Sequence, residues 1–138
     1  MEDRRTFLAL AAAALMVPME MAEAAAQTAP RPRGELARHA LTGPYDGHDA
    51  VLVEIAVPAG SRSPGMGHRH TGPVLGYVLQ GELRFAINNE PEKIVKAGST
   101  FFEPIGALHS TSGATEAGPA RFLAFLVVPK GADVVAPA

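Results

Sequence analysis

Three histidines stand in two short motifs whose spacing favours metal binding. His68 and His70 flank Arg69 in the stretch GMGHRHTG, and His109 ends the stretch EPIGALH. On an extended strand, residues two apart point to the same face, so both imidazoles of the first motif would point the same way. A third imidazole from a neighbouring strand would complete a site for a divalent transition metal, with iron, manganese, zinc, nickel and copper not distinguished. The alternative is a histidine pair in a surface loop with an unrelated histidine downstream.

Glu103 is the candidate catalytic residue. It lies directly before Pro104 and close to His109 in the sequence. It would act as a general base, or it would accept a hydrogen bond from the second ring nitrogen of a metal-binding imidazole. The alternative is a solvated acid at the end of a strand, because isolated glutamates are mostly exposed.

The segments around these motifs are typical of short β-strands. Runs rich in β-branched and aromatic residues, such as VLGYVLQ and RFLAFLVVP, are separated by glycines and prolines, and no segment after the N-terminus has a long helical period. This pattern predicts an all-β sandwich or barrel. The phenylalanines of these strands are predicted to lie in the core: Phe85, Phe101, Phe102, Phe122 and Phe125.

Taken together, the two histidine motifs resemble those of the cupin superfamily, in particular its small single-domain members. The first motif is matched by His68, His70 and Gly81, and the second is matched in order by Gly98, Pro104, Gly106 and His109. The resemblance spans roughly Leu52 to Val128. It implies a double-stranded β-helix, or jelly-roll barrel, whose interior holds a metal on the three histidines. It also implies a homodimer.

Two positions depart from the motifs of that family. Val74 stands where the family usually has a glutamate ligand, and Gly113 stands where it often has an asparagine. Three neutral imidazoles would leave a bound ion with its full double charge, which favours an anionic ligand or substrate. The competing interpretation is a site that has lost its metal.

Two classes of function follow from the resemblance. The first is a metal-dependent enzyme with oxygenase-like or lyase activity on a small anionic organic substrate. The second is a non-catalytic module that binds a small ligand or a metal, and a structural subunit with a vestigial pocket is a third alternative. Cupins serve in several of these roles, so the fold does not decide between them.

Composition limits the remaining possibilities. The 138 residues suit one small domain, and the absence of cysteine excludes disulfides and thiolate chemistry. Residues 27–138 carry ten basic and ten acidic side chains, the totals of 12 and 14 less the two arginines and four acids of residues 1–26. No basic patch stands out, so the sequence gives no support for nucleic-acid binding.

Residues 1–26 are predicted to be an export signal of the twin-arginine type. Arg4 and Arg5 precede a mild apolar run from Phe7 to Val17, which is too short to remain as a membrane anchor, and an alanine-rich end follows. An ordinary secretory signal and a retained amphipathic helix are the alternatives. The remaining boundaries are a linker over 27–34, the barrel over 35–130 and a C-terminal tail over 131–138. The expected location is periplasmic or extracellular, without a stable membrane anchor after cleavage.

Overall fold

The structure is a computed structural model and describes residues 34–62 and 67–136. The predicted signal over 1–26 therefore lies outside the described residues, as does almost all of the predicted linker. The strands in chain order are β1 Gly34–Ala40, β2 His48–Val57, β3 His68–His70, β4 Val74–Gln80, β5 Glu82–Ile87, β6 Lys93–Lys96, β7 Thr100–Glu103, β8 Leu108–Ala114, β9 Ala120–Pro129 and β10 Val135–Ala136. One 3-10 helix, Gly43–Tyr45, connects β1 to β2.

These strands form two five-stranded antiparallel sheets. The first sheet has the order β1-β2-β9-β4-β7 and the second has the order β10-β3-β8-β5-β6. Both sheets bury side chains in one shared core, to which the first contributes Val51 and Val78 and the second contributes Leu83. The predicted all-β double-stranded β-helix is thus confirmed. Within the described segments, no helix has the length and hydrophobicity needed to cross a bilayer.

The core follows from the alternation of side chains along each strand. In β9, the inward positions are Ala120, Phe122, Ala124, Leu126 and Val128, and all five are buried. The intervening residues point away from the core, because successive side chains on a strand face opposite sides of the sheet. Burial of this continuous apolar face by the opposite sheet is the main stabilising term of the barrel.

Two of the five predicted core phenylalanines lie on the outside instead. Phe102 is 55% exposed and Phe125 is 43% exposed. Phe101 takes the inward position in β7, so the alternation turns Phe102 outward. Leu75 is the cross-strand partner of both outward phenylalanines. Four exposed side chains define what we term the outer apolar face: Leu75, Tyr77, Phe102 and Phe125.

The C-terminal segment also differs from its prediction as a tail. Val135 pairs with His70, so β10 extends the second sheet beside β3. The hydroxyl of Thr71 donates a hydrogen bond to the carbonyl of Asp133 at 2.6 Å. Strand β3 would otherwise be an edge with unpaired backbone groups, and pairing with β10 satisfies them. The segment after Pro129 is therefore part of the barrel wall next to the histidine pair.

Asp49 links β1, β2 and the segment after β9, and its charge is predicted to stabilise the fold. Its Oδ2 accepts hydrogen bonds from the backbone N–H of Gly131 at 2.9 Å and from Arg38 at 3.0 Å. These two donors, the Gly131 N–H first, lower the pKa of Asp49 below its ordinary value of 3.8. A carboxyl whose pKa is lower in the folded state stabilises the fold above its ordinary pKa. That contribution is lost as the pH falls through the folded pKa.

We therefore expect Asp49→Asn to lower the free energy of unfolding at pH 7, with the difference from the wild type shrinking under acid conditions. Urea denaturation at neutral pH and at a pH well below 3.8, where the carboxyl is protonated in the folded state too, measures both differences. Asp46→Asn, at an exposed turn position, is the matched control and should change little. An Asp49→Asn deficit of the same size at both pH values would contradict a charge-based contribution.

Candidate metal centre

The three histidines of the two motifs lie together inside the barrel. His68 and His70 share one face of β3, as predicted, and His68 is the direct cross-strand partner of His109 on β8. Directly opposed residues of an antiparallel pair project to the same face, so the third imidazole joins the first two. Taking one ring nitrogen from each histidine, the three atoms all lie within 4.8 Å of one another.

A glycine permits the close packing of the two strands that carry these histidines. Gly67, directly before β3, has a φ of +86°, which L-residues rarely adopt. A Cβ at this position would lie 2.4 Å from the carbonyl oxygen of His109. Any other residue would push β3 away from β8, so the glycine keeps His68 and His109 in register.

The hydrogen bond of His70 fixes which of its nitrogens faces the site. Its Nδ1 lies 2.9 Å from the carbonyl oxygen of Val134. A carbonyl only accepts, so Nδ1 carries the proton and Nε2 of the neutral ring carries a lone pair. That Nε2 lies 3.1 Å from Nε2 of His68. The C-terminal segment thus orients a predicted ligand, a role that the sequence interpretation missed because it treated this segment as a tail.

Glu103 enters the same space from the opposite sheet. Its Oε1 lies 3.2 Å from Nδ1 of His109, and its Oε2 lies 3.6 Å from Nε2 of His70. The residue is only 2% exposed, which excludes the solvated acid considered as an alternative. Burial raises the pKa of its carboxyl to about 7. Among the described residues, Oε2 has no hydrogen-bond partner.

The other described histidines lie away from this centre. His39 on β1 and His48 at the start of β2 are both exposed. Neither of them belongs to the two histidine motifs of the sequence. A hollow of about 210 Å³ lies elsewhere, and neither Glu103 nor any of the three histidines lines it. The candidate site is therefore the histidine centre in the barrel interior.

The structure explains one departure from the cupin motifs directly. A Cβ at Gly113 would lie 2.0 Å from the carbonyl oxygen of Ser61, in the loop after β2. An asparagine cannot fit there while that loop holds its position. The other departure, Val74, is 1% exposed and is the cross-strand partner of Glu103. No local sequence signal indicates either contact, because both join segments that are far apart in the chain.

This donor set fits a divalent transition metal. Three imidazole nitrogens are ligands for zinc, iron, nickel and copper, and a neighbouring carboxylate adds a hard oxygen donor. The buried Oε2 of Glu103 is the kind of acceptor atom that a cation would satisfy. Three protein ligands also leave positions open for a substrate.

Comparisons with known proteins agree with this fold. The profile of the cupin domain family matches residues 53–128, which is more than half of the chain. A comparison with curated proteins found no match. A double-stranded β-helix protein from Klebsiella pneumoniae is 22% identical, with a TM-score of 0.58 over 78% of this chain and 83% of that one. A cupin-like protein from Thermotoga maritima is 16% identical, with a TM-score of 0.59 over 77% of this chain and 74% of that one.

An enzyme is also among the similar structures. DMSP lyase DddQ from Ruegeria pomeroyi is 21% identical, with a TM-score of 0.51 over 74% of this chain. The alignment covers 51% of the lyase chain. Likeness at these identities supports the shared fold and does not transfer an activity.

Proposed function

The chain belongs to the cupin family, and we propose that it is a metal-dependent enzyme acting on a small anionic organic molecule. His68, His70 and His109 would hold one divalent transition metal. The observation that carries this proposal is the convergence of three ring nitrogens, within 4.8 Å of one another, on one inward face. When bound, the metal would supply Lewis-acid or redox chemistry at its open positions.

The preference for an anion follows from the charges around the site. The three imidazoles are neutral as metal ligands, and Glu103 contributes at most one negative charge. A divalent ion would therefore keep a net positive charge in a water-poor interior, where it attracts an anion strongly. We propose an oxygenase-like or lyase reaction on such a substrate. The fold shared with DMSP lyase DddQ is compatible with the lyase branch.

The test uses the metal-free protein and the protein loaded separately with each of the five metals. Benzoate and benzamide serve as matched probes, because they share a ring and differ in charge. Benzoate is expected to raise the melting temperature of the loaded protein and to leave the metal-free protein unchanged, while benzamide affects neither. Equal effects of the two probes, or an effect without metal, would contradict an anion site at the metal.

A second measurement separates the enzyme from the non-catalytic module. A panel of small carboxylates and phenolates is incubated with the loaded protein, and both oxygen consumption and substrate loss are followed. Substrate loss with oxygen consumption supports the oxygenase-like reaction, and substrate loss without it supports the lyase reaction. Anion binding without substrate loss for any member of the panel supports the binding module.

We also propose that the protein is a homodimer through the outer apolar face. Large contiguous apolar patches on a protein surface mark interaction sites, and a two-fold axis would bring the same patch of two copies together. Analytical ultracentrifugation should find a dimer for the wild type and a monomer for Phe102→Asp. Ile94→Asp, at an exposed position on the second sheet, is the control and should stay dimeric. A monomeric wild type, or a dimeric Phe102→Asp variant, would count against this face.

Export by the twin-arginine route remains our proposal for residues 1–26. Its support is the pair Arg4 and Arg5 directly before the apolar run of the N-terminus. We expect the full chain, expressed in a bacterium, to be recovered in shortened form from the periplasm. The variant with both arginines replaced by lysine should stay full-length in the cytoplasm. Unchanged export of that variant would favour an ordinary secretory signal.

A further inference from the structure

Glu103 lies beside position 74, where the cupin motif usually has a glutamate and this chain has a valine. Val74 on β4 and Glu103 on β7 are direct antiparallel partners. Side chains so opposed project to the same face, with Cβ atoms roughly 4.5 to 5.5 Å apart. Both residues are almost fully buried, at 1% and 2% exposure. Glu103 therefore extends into the interior next to the space that a glutamate at position 74 would occupy.

Two ring nitrogens and a carboxylate oxygen converge where Glu103 meets the histidines. Nε2 of His70 is an acceptor because Nδ1 donates to Val134. It faces Nε2 of His68 at 3.1 Å and Oε2 of Glu103 at 3.6 Å. Without metal, a proton on Nε2 of His68 or on the Glu103 carboxyl can link these atoms by hydrogen bonds. A bound cation would take the place of that proton and be coordinated by the same atoms. Two ligand atoms that each lie about 2.1 Å from one ion are roughly 3.0 Å apart at an angle of about 90° and roughly 3.4 Å apart at a tetrahedral angle. The observed distances of 3.1 and 3.6 Å are close to this range.

We propose that Glu103 is the fourth protein ligand of the metal, and that it supplies from β7 the carboxylate that Val74 does not supply from β4. The proposal rests on the proposed metal site. A carboxylate ligand would lower the net charge of a divalent centre from two to one. The proposal also assigns Glu103, predicted from the sequence as a general base or an outer hydrogen-bond acceptor, to the ligand set.

A positioning role is the closest competitor, because Oε1 of Glu103 lies 3.2 Å from Nδ1 of His109. Glutamine at position 103 separates the two roles. An amide oxygen still accepts a hydrogen bond from an imidazole N–H and keeps the ring in place. It is, however, a much poorer metal ligand than a carboxylate, since it carries no charge. Glu103→Gln should therefore spare a positioning role and impair a ligand role.

The experiment measures the dissociation constant of Zn²⁺ by chelator competition, and the visible spectrum of the Co²⁺-loaded protein. Glu103→Gln is expected to weaken Zn²⁺ binding by more than the roughly 10- to 100-fold that loss of an outer-shell partner costs, and to change the Co²⁺ spectrum. Glu54→Gln is the matched control, because Glu54 is also buried but pairs with Arg121 at 2.7 Å, outside the histidine centre. That control should bind Zn²⁺ like the wild type.

A double variant tests whether a carboxylate on β4 can replace the carboxylate on β7 as a metal ligand. Val74→Glu combined with Glu103→Val returns the carboxylate to β4 and should bind Zn²⁺ at least ten-fold more tightly than Glu103→Val alone. The proposal is overturned if Glu103→Gln binds Zn²⁺ within three-fold of the wild type, or if the exchange restores nothing. If the wild type binds neither metal, the proposed function fails and this assignment fails with it. In contrast, tight binding by both the wild type and Glu103→Gln would leave the three-histidine metal site standing and overturn only the assignment of Glu103 as its fourth ligand.

Discussion

Replacing His70 by alanine is expected to abolish stoichiometric metal binding while the barrel stays folded. The change removes one of three nitrogen ligands, and the affinity should fall at least about 100-fold. Ligand binding to the native state alone stabilises it by about 2.7 kcal/mol when the ligand is at 100 times its dissociation constant. The wild type should therefore gain roughly that much free energy of unfolding with saturating metal. The variant should gain almost none at the same metal concentration.

Two histidines of this chain provide the controls. His39→Ala and His48→Ala remove the same chemical group from exposed positions outside the centre. Both variants should bind and be stabilised by metal like the wild type. Elemental analysis after dialysis gives the stoichiometry, and urea denaturation with and without metal gives the stabilisation. Retained binding in His70→Ala, or loss in either control, would place the metal elsewhere.

Gly113→Asn restores the residue that the family motif often has, and it is expected to destabilise this protein severely. The new Cβ would lie 2.0 Å from the carbonyl oxygen of Ser61 and 3.0 Å from the Cα of Arg62. These neighbours are backbone atoms, so relief requires the whole loop after β2 to move. Overpacking of this kind commonly costs about 1 to 3 kcal/mol and sometimes more. We expect a loss of about 3 kcal/mol or more.

Gly98→Asn is the matched control for that substitution. A Cβ at Gly98 has no atom within 4 Å, although its φ of +84° is left-handed. Asparagine tolerates this region better than most residues, so the expected loss is about 1 kcal/mol. Denaturant unfolding of both variants at one pH gives the comparison. A Gly113→Asn variant no less stable than Gly98→Asn would mean that the loop moves easily, contrary to the packing argument.

Local periodicity predicted the parts of this protein that depend on neighbouring residues. The shared face of His68 and His70 follows from the two-residue repeat of a strand, and the structure confirms it. The all-β fold follows from the short strands between glycines and prolines. The approach of His109 could not come from periodicity, since it depends on the pairing of β3 with β8. The motif resemblance provided that expectation.

The parts that the sequence did not predict depend on which residues of a strand face inward, or on register between distant segments. The apolar side chain of Phe102 suggested a core position. It faces outward because Phe101 and Glu103 take the inward positions of β7. Val134, which orients His70, lies in a segment whose sequence is not typical of a strand. The residues directly after it form β10 because they pair with the edge of β3 that would otherwise be unpaired. The opposition of Val74 and Glu103 likewise requires the β4–β7 register, which no local pattern encodes.

The metal content of the purified chain tests the central claim most directly. The protein is prepared without chelators and without metal-affinity resin, alongside a variant carrying both His68→Ala and His109→Ala, and both are analysed for transition metals. The metal centre predicts about one equivalent of a single metal in the wild type, lost in the variant. No metal in either protein, together with failure of the wild type to take up iron, manganese, zinc, nickel or copper, would contradict it.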